Sequence, residues 1–549
     1  MISRRRLFKS ALLAAGCQLA QSRLVAKTSP SRSTAQTSAT VASQSGRRGP
    51  LPKRGNKYLF VDDHDIEAID NLDRRLHQPQ KFARNVVIRP EYRWENVGIQ
   101  IRTTPVWLPD ENIFKMIYHG SAEGPDPVVT LDVTGAPRGG ESFACYATSI
   151  DGVNWEKTFL KLYDYPALTW TGKPIGKENN IIPSAQGMLQ GPIYDPHDPD
   201  PRRRFKGLRF GAGGLRSVVS ADFLQWEALA IPSLPSSDES HLTYDADARL
   251  FIAAVKRGGP YGRSWYLITS PDFEHWEEHG LIFHADEVDQ TNGKARLQRF
   301  FDDPAYLKPD MIRPEELRTD VYNFPIFPYE GLYLATPVMH HWSGKHTPMY
   351  ENVDSRKSVE LASSRDLRKW LRVADRAPFL ELSPVGDGSA YDTGQVVITN
   401  TPVVRNNELW FYYDAFRYRH MSIADTLARK YLDSSALCLA RLRMDGFVSL
   451  KGGPEWGSVS TKPIKVASER LHINCDSWRG RVQVEVIDAA SGEAIPGFTR
   501  AESQPAIIDS IDETVRWKAK NDLSELLGKT VRLRFHLWNS ELYAFWFGA

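Results

Sequence analysis

At 549 residues the chain exceeds what one ordinary core can use, so at least two domains are expected. Its hydrophobic content of 41% and charged content of 25% are ordinary for a globular protein. Lys and Arg total 69 against 67 Asp and Glu, which leaves no basic excess to hold nucleic acid or an anionic membrane surface.

In chain order, Ser3-Arg4-Arg5-Arg6-Leu7-Phe8-Lys9 precedes a short apolar run, Ala11-Leu12-Leu13-Ala14-Ala15. Consecutive arginines, Phe-Lys and a run too short to span a bilayer resemble a twin-arginine export signal over residues 1–26. A periplasmic or secreted protein with no transmembrane segment is therefore expected. Ala15-Gly16-Cys17 is also a partial match to a lipoprotein box, with Ala14 where Leu is usual, which would anchor lipid at Cys17. Residues 27–56 are rich in Ser, Thr, Ala and Gln and read as a flexible linker, since they cannot bury enough surface to offset ordering.

Next comes a pattern repeated four times: Ser149-x-Asp151-x-x-x-Trp155, Ser220-x-Asp222-x-x-x-Trp226, Ser270-x-Asp272-x-x-x-Trp276 and Ser364-x-Asp366-x-x-x-Trp370. Identical spacing at intervals of tens of residues marks repeated supersecondary units. Each copy follows a strand-like run: residues 143–148, 215–219, 265–269 and 359–363. The Asp is expected to accept backbone N–H bonds within a turn, and the Trp to cover the seam between units, so the pattern is structural and not catalytic. A further hairpin precedes each copy, and a fifth unit without the signature covers residues 395–446. Five units of short strands predict an all-β fold, a five-bladed β-propeller over residues 57–450. The best helical patterns lie at residues 65–76 and 423–431. Residues 451–549 change to alternating strands, including 482–486 and 531–537, and predict a β-sandwich accessory domain. Cys145, Cys438 and Cys475 have no metal-ligand spacing and read as buried small apolar residues.

The first strand of each propeller unit runs nearest the axis, so acidic residues there are the chemical candidates. Glu95 opens the first unit, Asp238 and Glu239 the third, Asp392 the fifth, and Glu330 lies in the fourth. The axial mouth would then be acidic. Paired carboxylates are what glycoside hydrolysis needs: one protonates the leaving oxygen, while the other attacks or activates water. Glu330 is the candidate acid and Glu95 the candidate base or nucleophile, with Asp238 or Glu239 as a third carboxylate. Trp94, Asn180, Asp320, Tyr322, Asn323, Tyr329, His340 and Asp392 are candidate substrate contacts. His340 and His341 are adjacent on a strand and point to opposite faces, so no metal site is expected. No organic cofactor is called for, and a structural calcium ion is left open.

Residues 85–450, with their repeated turns, and the propeller-then-sandwich order resemble the five-bladed propeller hydrolases of glycoside hydrolase families 32 and 43. That resemblance implies an exported glycosidase acting on a carbohydrate, for which a sulfated or anionic glycan would suit Arg202-Arg203-Arg204 or Arg296 and Arg299; a monomer is expected. It places an acidic residue of the first blade at Glu95, a middle-blade acid at Asp238 or Glu239, and the proton donor at Glu330. The chain departs from family 32 in having Trp94-Glu95-Asn96 where Asn-Asp-Pro-Asn-Gly is usual, which argues against fructan or sucrose cleavage. Two rivals remain. A sialidase carries Ser-x-Asp-x-Gly-x-Thr-Trp, with its Trp one residue later than in all four copies here, and needs an Arg cluster and a Tyr nucleophile. A non-catalytic glycan-binding propeller needs no carboxylate pair.

Overall fold

The four repeats close their hairpins in the same way. In the computed structural model, which describes residues 57–122, 141–167, 174–182, 188–211, 213–309, 311–345, 353–419 and 433–548, each repeat Asp accepts two backbone N–H bonds. The residue after each Asp sits in the left-handed region: Gly152 (φ 77), Phe223 (φ 73), Phe273 (φ 67) and Leu367 (φ 63). The Trp indole N–H donates to the carbonyl of that residue in three copies, Trp155, Trp226 and Trp370. The Asx-turn geometry expected from the spacing is therefore present, with backbone strain at its centre.

The turns belong to a series of antiparallel sheets. In the first, Gly98–Gln100 and Val106–Leu108 lie along one edge of Ile113–Ala122, and Glu141–Ser149 lies along the other. The second is Leu189–Tyr194, Phe205–Gly211, Gly214–Ser220 and Glu227–Ala228 in order. The third is His241–Asp245, Leu250–Gly259, Gly262–Ser270 and Glu277–Phe283. In the fourth, the strands bend midway and form two pieces: Arg318–Asn323, Val338–Lys345 and Val353–Val359, then Ile326–Tyr329, Leu332–Ala335, Ala362–Ser364 and Leu371–Arg372. In the fifth, Gln395–Ile398 and Val403–Arg405 edge Glu408–Phe416, followed by Ser435–Arg443 and then Gln80–Ile88.

The outermost strand of the fifth sheet thus comes from the beginning of the described chain. First strands adjoin in sequence: Val106–Leu108 by Leu189–Tyr194, that strand by His241–Asp245, and His241–Asp245 by Ile326–Tyr329. Val353–Val359 then adjoins Gln395–Ile398, and Ser435–Arg443 adjoins Gly98–Gln100, so the series returns to the first sheet.

Two further sheets share a core around Val459, Leu471, Ile473, Val484, Phe535 and Phe545. One joins Lys57–Leu59, Leu72–Leu76, Val448–Gly452, Arg470–Asp476, Asp509–Thr514 and Glu541–Gly548; the other joins Ile66–Asp70, Gly457–Thr461, Ile464–Lys465, Arg481–Asp488 and Thr530–Trp538. Residues 57–76, grouped by sequence with those up to 450, pair instead with strands at and beyond Val448.

Residues 65–76 are not helical. They form Ile66–Asp70 and Leu72–Leu76, joined at Asn71 (φ 50), because pairing with partners from the far end of the chain overrides a helix-like spacing of Ile and Leu. The second helical expectation, 423–431, lies outside the described residues. The α-helix that does form, Glu287–Asp302, opens with a reciprocal Asp286–Asp289 capping box, a signal present in the sequence. Among the described residues no helix is long and apolar enough to cross a membrane. Cys145, Cys438 and Cys475 are free thiols, all buried.

Candidate active site

The beginnings of the first strands bring together a compact set of charged side chains. Arg102 lies just beyond Gly98–Gln100, where the first strand of sheet one breaks, and is 6% exposed. Its guanidinium donates to Glu239, to Asp414 Oδ2 at 2.7 Å and to Gln100 Oε1 at 2.6 Å. Glu239 precedes the first strand of sheet three, and its backbone N–H donates to Asp238 Oδ1 at 2.8 Å. Lys256, from the next strand, pairs with Asp238 at 2.9 Å and Glu239 at 3.5 Å, so both carboxylates lie on one ammonium. The Asp238 side chain is 45% exposed, whereas that of Glu239 is 3% exposed.

Sheet four adds Tyr322, with Lys357 Nζ 3.4 Å, Lys256 Nζ 4.6 Å and the Arg263 guanidinium 5.6 Å from its ring centre. Lys357 Nζ donates to Gln395 Oε1 of sheet five at 2.5 Å.

The electrostatics separate these acids. Burial works to raise the Glu239 carboxyl, but Arg102 and then Lys256 overcome it and hold the group below the usual carboxylate range. Burial dominates at Asp414, whose carboxyl is pushed up to about 7 despite Arg102. Burial also takes the Lys357 amine well below its ordinary value, with Arg102, Arg263 and Lys256 pushing the same way against Glu239. Tyr322 is raised, by burial first and then by Glu239.

Three buried polar atoms around this set have no hydrogen-bond partner among the described residues, His119 Nε2, Gln190 Nε2 and His241 Nε2, and Glu239 Oε1 has only Lys256 at 3.5 Å. His119 and His241 are both electrostatically coupled to Arg102 and Glu239. Gln190 is tied in by its Oε1, which accepts from the backbone of Ser240, and His241 Nδ1 is 2.5 Å from Asn400 Oδ1. Buried polar groups are seldom left unmatched, so this grouping is suited to a polar ligand.

The other sequence candidates have different partners. Glu95 is fully buried and accepts from Lys157 Nζ (2.5 Å), Tyr118 OH (2.8 Å) and the Glu91 and Tyr92 backbones. Trp94 and Asn180 join the same network through their 3.0 Å hydrogen bond and the 2.8 Å bond from Asn180 to Tyr118. Glu330 sits in the tight turn after Ile326–Tyr329 (φ 47), accepts from the Lys57 N–H at 3.3 Å, and neighbours the Tyr329–Asp445 hydrogen bond. Asp392 is buried between Lys81 (2.7 Å) and Tyr413 (2.9 Å). Glu95, Glu330 and Asp392 are thus held in three separate networks, apart from the partners of Glu239.

Asp320 pairs with Arg263 at 2.9 Å and with His340 at 3.0 Å, so this pair borders Tyr322. Asn323 is buried, with its amide unmatched among the described residues. The arginines proposed for an anionic glycan are engaged elsewhere: Arg202 with Asp200, Arg203 with Glu274, Arg204 with Glu111, Arg296 with Glu360 and Arg299 with Glu381.

This cluster is of mixed charge: Arg102, Lys256, Arg263 and Lys357 face Asp238, Glu239, Asp320 and Asp414. Sequence reasoning missed these four cations and Asp414. A usable signal existed at Lys256, which with Arg257 ends the apolar run Phe251-Ile252-Ala253-Ala254-Val255. Among the described residues no three His, Cys, Asp or Glu side chains are grouped so as to hold a metal ion.

No family model matches the chain, and no curated protein matches it either. The solved structures it resembles include glycoside hydrolases. One is the family 32 β-fructofuranosidase of Bombyx mori, 9% identical, covering 85% of this chain and 93% of that one with a TM-score of 0.36. Another is a fructofuranosidase from Schwanniomyces occidentalis, 9% identical, covering 88% and 98% with a TM-score of 0.33. A third comes from family 130, described as mannoside phosphorylases that include glycoside hydrolases targeting β-1,2 mannosidic linkages in Candida mannan. It is 13% identical and covers 73% of this chain and 92% of that one, with a TM-score of 0.32.

Proposed function

We propose that the protein is an exported glycoside hydrolase whose substrate enters where the first strands begin. In this reading the first five sheets are the blades of a five-bladed β-propeller, closed by Gln80–Ile88, and the last two sheets form a β-sandwich. Residues 1–26 direct export and 27–56 link the signal to the body.

The observation that carries the chemistry is the pair of consecutive carboxylates, Asp238 and Glu239, held on one Lys256 ammonium beside unmatched buried polar atoms. Glu239, kept ionised by Arg102, is the nucleophile or general base. Asp238, the exposed member, is the second carboxylate of the pair. His119, Gln190 and His241 supply groups for sugar hydroxyls. Glu95 and Glu330 support the frame.

Hydrolysis of a polysaccharide and oligosaccharide panel tests this. Glu239→Gln and Asp238→Asn should each lower turnover by about 10²–10⁴-fold. Wild-type rates in both variants remove the assignment, and wild-type binding without turnover on every substrate favours a glycan-binding propeller. The sialidase-like reading has one observation in its favour: Tyr322 stands beside Glu239 with Arg102 and Arg263 near it. Loss of turnover in Tyr322→Phe would favour that reading, because the ring is kept and only the phenol oxygen is removed.

A further inference from the structure

Three cations meet on the Tyr322 ring, and they are not equivalently neutralised. Arg263 has Asp320 at 2.9 Å, and Lys256 has Asp238 at 2.9 Å. Lys357, the nearest to the ring at 3.4 Å, has Gln395 as its hydrogen-bond partner and no carboxylate within ion-pair distance among the described residues. It is 2% exposed, and it lies among Arg102, Arg263 and Lys256. Burying an amine among like charges is unfavourable unless a counter-charge is delivered to it. The Arg263 side chain is 25% exposed and Tyr322 is half-buried, so the group opens to solvent on that side.

We propose that Lys357, with Arg263 and Lys256 around the Tyr322 face, receives an oxyanion borne by the sugar. That oxyanion is a uronate carboxylate or a sulfate ester, which makes the preferred substrate an anionic glycan. The inference rests on the proposed glycoside hydrolase site, whose carboxylates Asp238 and Glu239 share Lys256 with it. Recognition is by charge-assisted hydrogen bonds from Lys357 and Arg263, with the Tyr322 ring holding these cations together behind the anion. The bound anion gives Lys357 a counter-charge within ion-pair distance, where the fold supplies only the more distant Glu239, so affinity comes largely from a group already in place.

Binding is measured by calorimetry on the full chain carrying Glu239→Gln, which separates recognition from turnover. The probes are matched pairs: a polyuronate and its carboxyl-reduced form, and a sulfated galactan and its desulfated form. The charged member of one pair should bind at least about tenfold more tightly than its neutral counterpart, and the responding pair identifies the anion. Adding Lys357→Met should reduce that preference about tenfold or more, and Lys357→Arg should restore part of it. Sulfate or acetate alone should raise the thermal midpoint of the wild-type protein, and less so that of Lys357→Met. Equal binding of charged and neutral members, or a preference unchanged by Lys357→Met in folded protein, overturns the inference. Charged-glycan binding that depends on Lys357, without hydrolysis by the wild-type enzyme, supports the inference and overturns the hydrolase reading instead.

Discussion

Arg102→Met should be among the most damaging single changes in the protein. Arg102 is buried and neutralises Glu239 and Asp414 together, while also holding Gln100 and the Ile101 carbonyl. Removing one partner of a buried ion pair costs about 3–5 kcal/mol, because the other charge stays buried without its counter-ion. Two carboxylates do not double the figure here. Asp414 already titrates at about 7 and can take a proton at little cost, so most of the loss falls on Glu239. The expected loss is about 3 kcal/mol at neutral pH. Adding Glu239→Gln removes the stranded charge and should recover about 2 kcal/mol of it.

The pH dependence has a definite sign. Without Arg102 burial acts on the Glu239 carboxyl against Lys256 as its remaining ion-pair partner, so its folded value rises and the deficit shrinks as pH falls and Glu239 is protonated. Urea unfolding followed by tryptophan fluorescence, for the wild type, both single variants and the double variant at pH 5 and pH 7.5, measures all of this. A loss below about 1 kcal/mol for Arg102→Met, or no recovery in the double variant, would refute the account of this cluster as a charge-balanced unit.

Other outcomes follow from the same structure. Asp272→Ala removes the acceptor of the Glu274 and His275 N–H groups in the third repeat turn and should cost about 1–2 kcal/mol in thermal unfolding. Turnover should be unaltered, and a large loss of turnover in stable protein would show that these turns do more than hold the frame. His119, His241 and His340 are lowered by burial, to about 4, about 3 and about 3. Their folded values lie below the unfolded one, so the stability they confer is present above pH 6.5 and lost as pH falls towards 4. His119→Gln should flatten the slope of stability against pH in that window by about 1.4 kcal/mol per unit, and an unchanged slope would show that His119 is not held neutral.

Much of the frame could be read from the chain because it depends on local chemistry. The spacing from Ser to Asp to Trp fixes which N–H groups an Asp can reach, and all four turns form as that spacing requires. The same local reasoning failed at residues 65–76, where partners almost 400 residues away in sequence decide the strand. Tyr322, Asp238 and Glu239, which it also nominated, lie together around Lys256. It nominated Glu95 and Glu330 by strand position alone, and strand position does not say what a carboxylate will meet: Glu95 lies against a lysine and a tyrosine.

The sequence by itself determined the repeat, the turn chemistry and the strand-rich character of the chain, because these rest on contacts within a few residues. Only the tertiary structure decided which charges share a site. Arg102, Glu239 and Asp414 are separated by 137 and 312 positions where Arg102 meets its two acids, and no periodicity links them. Their protonation follows from mutual distance and lost water, and both of those exist only once the sheets are assembled.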